Sequence, residues 1–148
     1  EHRDEAKYDQ LQQELSKGYD IIGLTETNYN WRTMESKEQL HHQTEGWWKN
    51  KTIQNSWMKT KDHKVKFQVG GTSTILTDAT TSALDSRGED ASGMGRWSWI
   101  TMTNNDHTIA TTIITIYFPN RTYGPYTTFT QQHEKKRQKT KNDLLVTA

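Results

Sequence analysis

The stretch Asp20-Ile21-Ile22-Gly23-Leu24-Thr25-Glu26-Thr27-Asn28 decides how the chain is read. A short apolar run ends on a carboxylate. Runs of that length, bounded by polar residues, form strands buried on both faces. Alternation along such a strand puts Ile22, Leu24 and Glu26 on one side. Glu26 then leaves the sheet at its carboxyl end, where layered α/β folds carry their chemistry. A carboxylate held there suits a hard divalent cation such as magnesium. Taken alone, such a residue is more often an ordinary solvated strand-end carboxylate.

Upstream, residues 4–17 have the spacing of a helix. Tyr8, Leu11 and Leu15 recur at three- and four-residue steps, and Gly18 is a suitable stop. Helix followed directly by buried strand is half of a β-α-β unit, whose first strand would precede Glu1. Downstream, Met34 to Gln43 reads as a short polar helix anchored by Leu40. His41 and His42 are neighbours that point apart on a helix, so they are surface residues rather than a metal pair. Trp47 and Trp48 cap the core, with one ring partly exposed. Residues 52–60 form a strand. Lys59, Lys61, Lys64 and Lys66 could grip a phosphate backbone, but such a cluster is more often a solvated loop or charged edge.

Val69 to Thr77 is a strand entered through Gly70 and Gly71. No Lys-Ser/Thr follows, so the pair serves a turn or bulge rather than a phosphate loop. Residues 78–95 read as a long polar loop. Arg96–Thr103 and Ile109–Phe118 form a hairpin around the turn formers Asn104-Asn105-Asp106-His107. The second of these strands is apolar on both parities, which implies a central position. Tyr117 lies at its carboxyl end and Pro119 stops it. Residues 126–148 are helical in pattern. Their Lys135, Lys136, Arg137, Lys139 and Lys141 read as a solvated basic face.

Composition narrows the class. The chain has 148 residues, enough for one domain with a core. Only 30% are hydrophobic, but 23 threonines, six Trp and six Tyr suit strands and argue against disorder. A net charge of +1 gives no global field toward nucleic acid or membrane. Without cysteine there is no disulfide-linked partner and no thiolate metal site. No apolar run is long enough for a membrane span, and no signal peptide is visible. An intracellular setting is favoured, with the compartment left open.

Three pieces now stand in order: Ile21-Ile22-Gly23-Leu24-Thr25-Glu26-Thr27, Gly70-Gly71-Thr72-Ser73-Thr74-Ile75-Leu76 and Ile116-Tyr117-Phe118-Pro119-Asn120. Together they resemble the endonuclease/exonuclease/phosphatase superfamily, the DNase I-like fold, in particular the endonuclease-like domains of retroelements and the apurinic-site nucleases. The resemblance runs from about residue 4 to about residue 145. It implies an α/β fold, a partial four-layer sandwich with mixed β-sheet flanked by helices, and one truncated domain over residues 1–148. By resemblance Glu26 would be catalytic and hold Mg2+, with Mn2+ possible. Tyr117 would be the second catalytic residue, and Asn120 and Arg121 would contact substrate. DNA would be the partner. The family's Asn-bearing first strand, its Gly-Asp-x-Asn segment and its terminal Asp-His pair do not occur here. The expectation is therefore a fragment of a magnesium-dependent phosphodiesterase or endonuclease with little activity alone. The alternatives are a non-catalytic nucleic-acid-binding or structural module, and a phosphatase of small phosphoesters.

Overall fold

Thr72–Thr77, labelled β3, is buried along its whole length, and the other elements are arranged around it. The computed structural model describes residues 2–59, 65–124, 127, 129–134 and 137, with side chains from residue 6 onward except that of residue 7. β3 is the middle strand of a three-stranded sheet between β1 (Ile21–Thr25) and β2 (Lys51–Ser56). Both pairings are antiparallel, with Gly23 and Gln54 opposite Thr74. A second antiparallel sheet has the order β4 (Leu84–Glu89), β5 (Trp97–Thr103), β6 (Ala110–Ile116). The sheets stack, with β3 over β5 and β6, β2 over β4 and β5, and β1 over β6.

The two faces of the first sheet are chemically unlike. On the outer face Ile22, Ile75, Trp47 and Trp48 form the hydrophobic core, with Leu15, Leu24, Leu40 and Ile53 packed against them. Helix α1 (His2–Leu15) covers this face and ends before Gly18, whose φ of 88° gives the left-handed stop expected of it. A 3-10 turn at Ser36–Glu38 and the single helical turn α2 (Leu40–Gln43) complete the cover. The Trp48 indole donates to the Leu15 carbonyl at 3.2 Å, which fixes the end of α1 to the sheet. Each large side chain buried here contributes about 1.5–3 kcal/mol.

The inner face is largely hydroxyl. Thr74 Oγ1 lies 2.8 Å from Ser98 Oγ and 2.8 Å from Thr115 Oγ1, and it donates to the Ser98 carbonyl at 3.1 Å. Leu76 and Ile100, both fully buried, add apolar contact. The sheets come so close that a Cβ on Gly23 would sit 2.9 Å from Thr115 Oγ1. A larger residue would force them apart.

Several sequence expectations change. Both described sheets are antiparallel, not mixed. The strand at 21–25 is an edge strand, with Gly23 and Thr25 exposed rather than buried on both faces. β5, not β6, is central, so the apolar outer parity of β6 stays open: Ile114 is 53% exposed. The polar loop at 78–95 contains a 3-10 helix (Asp78–Ala83) and strand β4. β2 stops at Ser56, and Met58 instead forms a lone bridge to Met94. Trp47 and Trp48 are both buried. Of the C-terminal helical pattern, residues 129–134 and 137 are helical; Lys135, Lys136, Lys139 and Lys141 lie outside the described residues.

Candidate functional site

Glu26 follows β1 with a φ of 55°, and Asn28 has a φ of 59°. This left-handed backbone ends the strand's alternation, so Glu26 does not extend the face of Ile22 and Leu24. Neighbouring bonds hold the turn. Thr27 N–H donates to the Gly71 carbonyl at 3.4 Å, Asn28 N–H to the Gly70 carbonyl at 2.8 Å, and Gln68 N–H to the Asn28 carbonyl at 2.9 Å. Gly70 N–H donates back to Asn28 Oδ1 at 3.0 Å. Gly71 must be glycine: its φ is 93°, and a Cβ would meet Thr27 Oγ1 at 2.5 Å. The backbone of Glu26 is therefore fixed while its side chain is exposed. It forms no hydrogen bond or ion pair among the described residues.

Tyr117 continues the second sheet one residue past β6, its N–H donating to the Arg96 carbonyl at 2.7 Å. It is half-buried and keeps the parity of Thr115, which faces the first sheet. Register carries Tyr117 and Glu26 to the same end of the sandwich. Thr25 lies opposite Thr72, and Thr72 opposite Ser56. Ser56 Oγ accepts from Asp90 N–H at 3.3 Å, and Asp90 N–H also bonds to the Trp97 carbonyl. Trp97 lies opposite Ile116, next to Tyr117. Asn120 and Arg121 follow on an exposed segment.

The floor of this end contains residues that the sequence reading passed over. Asp90 is buried and fully engaged: Oδ1 accepts from Ser92 N–H and Oγ, and Oδ2 accepts from Arg96 N–H at 2.9 Å. Arg96 Nε donates to Gln132 Oε1 at 2.7 Å, and Gln132 Nε2 to the Met94 carbonyl at 3.0 Å. Gln132 is completely buried. Arg96 thus pairs with Tyr117 through its backbone carbonyl and has its guanidinium braced by Gln132. The Gly93-Met94-Gly95 run before it was the available signal.

The two described lysines of the cluster are both ion-paired. Lys59 pairs with Glu89 at 2.9 Å and lies 3.0 Å from the Trp57 ring centroid. Lys66 pairs with Glu38 at 2.9 Å. Lys61 and Lys64 lie outside the described residues. His41 and His42 are exposed, as expected.

Among the described residues no group of three His, Asp or Glu is placed to cage a metal ion. Magnesium often binds through one or two carboxylates, with waters and phosphate oxygens filling the rest. Glu26, exposed and unengaged by the described residues, fits that mode; Asp90, with both oxygens occupied, does not. A surface depression of about 750 Å³, lined by residues such as Lys49 and Asp78, lies at the other end of β3. No described helix is long and apolar enough to cross a membrane. Compared with protein-family models, with curated proteins and with solved structures, the chain finds no match in any of the three.

Proposed function

We propose that the strand end carrying Glu26 and Tyr117 binds the phosphodiester backbone of nucleic acid, DNA in the first instance, together with Mg2+ or Mn2+. On this reading the two sheets and the helices over the first of them are three layers of a DNase I-like sandwich. A fourth layer would lie over the open face of β5 and β6. The observation that carries the reading is the register that brings the ends of β1 and β6 together. Glu26 would hold the ion. When bound, such an ion neutralises charge on the phosphoryl oxygens and acidifies a coordinated water. The Tyr117 hydroxyl would donate to a phosphoryl oxygen, and Asn120, Arg121 and Arg96 would contact flanking phosphates. Hydrolysis also needs a general acid and base, which these residues do not supply. Binding with little turnover is therefore the activity expected of residues 1–148.

Fluorescence anisotropy with a labelled DNA duplex tests this. Mg2+ should tighten binding about tenfold over EDTA, as one charge-assisted contact would. Glu26→Gln, which keeps side-chain size on the same backbone, should abolish that gain. Tyr117→Phe should weaken binding with the Mg2+ effect intact. An unchanged Mg2+ effect in Glu26→Gln would overturn the metal assignment. Binding that ignores EDTA and weakens only with salt would identify a metal-independent binding module instead.

A further inference from the structure

The second sheet ends on one side in β6, and hydrogen-bond parity fixes what that edge offers. Tyr117 N–H donates to the Arg96 carbonyl, and Asn104 N–H to the Ile109 carbonyl. Both pairs stand directly opposite when the β5–β6 register is continued past its ends. Hydrogen-bonded and non-hydrogen-bonded pairs alternate along an antiparallel ladder. Thr111, Ile113 and Thr115 therefore bond to β5. Ala110, Thr112, Ile114 and Ile116 turn their N–H and C=O groups to the free edge. Among the described residues no backbone group bonds to them there, and all of these residues are exposed.

The opposite edge of the same sheet is guarded. β4 carries Asp85, Arg87 and Glu89, and its register shifts between Leu84 and Ser86. Charges and bulges of that kind keep an edge from pairing. β6 has neither: it is Ala, Thr and Ile throughout, in unbroken register with β5. Its free groups are also complementary to themselves. A two-fold axis at Ile113, normal to the sheet, sets Ala110 opposite the partner's Ile116 and Thr112 opposite the partner's Ile114. Each of these pairs is hydrogen-bonded, so the register uses every free group of the strand. It also sets Asp106, exposed in the turn before β6, against the partner's Asn120-Arg121, exposed after it. Opposite charges thus face each other at both ends of the pair.

We infer that β6 is the interface of a symmetric homodimer, in which two copies pair antiparallel about Ile113 and join their second sheets into one. A second copy is the occupant because it alone brings the same row of free groups, in a register that leaves none unused. The inference does not depend on the phosphodiester reading.

Amide hydrogen exchange of the whole chain, followed by NMR from micromolar to millimolar concentration, tests the pairing. The N–H groups of Thr112, Ile114 and Ile116 should exchange fast in dilute protein and slow by the inverse of the monomer fraction on concentration. Those of Thr111 and Ile113 should be protected already in dilute protein. Sedimentation should stop at the dimer, because the two-fold contact consumes both edges. The chain has no cysteine, so one introduced thiol reports the register. The paired 113 positions have Cα atoms about 4.5 Å apart, within disulfide reach, whereas the two 111 positions are offset by about 13 Å along the strands. Ile113→Cys should therefore oxidise to a linked dimer at least about tenfold faster than Thr111→Cys. Exposure alone would favour Thr111, which is exposed where Ile113 is half-buried. The inference is overturned if the chain stays monomeric at millimolar concentration or grows past the dimer. It is equally overturned if the Thr112, Ile114 and Ile116 amides gain no protection, or if Thr111→Cys links as fast as Ile113→Cys.

Discussion

Thr74 touches Ser98 and Thr115 through one hydroxyl, and all three side chains are buried. Removing that hydroxyl leaves the other two without their shared partner. Thr74→Val should cost about 1–3 kcal/mol in urea unfolding, the penalty of stranded buried polar groups. Replacing Ser98 by Ala and Thr115 by Val in the same chain should recover part of the loss, since nothing polar is then left unpaired. Glu38 makes a pH-dependent contact of a different kind. The Glu35 backbone N–H and then the Lys66 ammonium hold its carboxyl below the usual range, while Glu38 pushes the Lys66 ammonium up. A lowered carboxyl stabilises the fold above the ordinary carboxylate pKa, and that contribution fades as pH falls through the lowered value. The Glu35 amide shift, followed by NMR, should therefore titrate below the ordinary Glu range, and Lys66→Ala should move the midpoint upward. The pattern around Glu26 was legible because a carboxylate ending an apolar run is a visible motif. Its left-handed backbone was not, because Gly70 and Gly71 impose it from more than forty positions away. The buried threonines were equally hidden, since Thr suits either face of a strand.

Strands that carry their own pattern were readable, and those shaped by a neighbour were not. The β5–β6 hairpin announced itself through Asn104 to His107, and His107 indeed adopts a φ of 56° in that turn. β4 has no apolar alternation, because its Gly88 lies opposite Trp99 and under that ring. A Cβ on Gly88 would fall 2.5 Å from Trp99 Cζ2. Gly88→Ala should displace the indole and destabilise the second sheet, visible as a changed near-UV dichroism signal and a lower urea midpoint. β6 was misplaced for the opposite reason. Its two apolar parities imply cover on both sides, yet Ile114 and Ile116 lie open on its outer face. Between Ile109 and Phe118 there is no charge, proline or glycine to guard an edge strand. Such an edge recruits other chains. Ile114→Lys should reduce concentration-dependent association in sedimentation experiments, with little change in the monomer's dichroism spectrum.

At the scale of the molecule, β3 belongs to two interfaces of opposite character. Ile75 faces the tryptophans and helices, while Thr74 and Leu76 face the second sheet. Neither sheet can lose the other without exposing a strand that is buried throughout. A three-stranded sheet also needs packing on a face to be stable by itself. The two sheets should therefore unfold as one cooperative unit, although the hydroxyl interface looks the weaker. With 5-fluorotryptophan incorporated, the 19F signals of Trp48 on the helix side and Trp99 in the second sheet report the two halves separately. Both native signals should vanish at the same urea concentration, as two-state unfolding requires. Ile75→Ala, a cavity in the helix-side core, should cost about 2–5 kcal/mol. It should lower both midpoints together, even though Ile75 touches only one of the interfaces. If the Trp99 signal kept its midpoint while that of Trp48 fell, the hydroxyl-lined interface would be a seam between two independent units, and the strand end shared by Glu26 and Tyr117 would not be rigid.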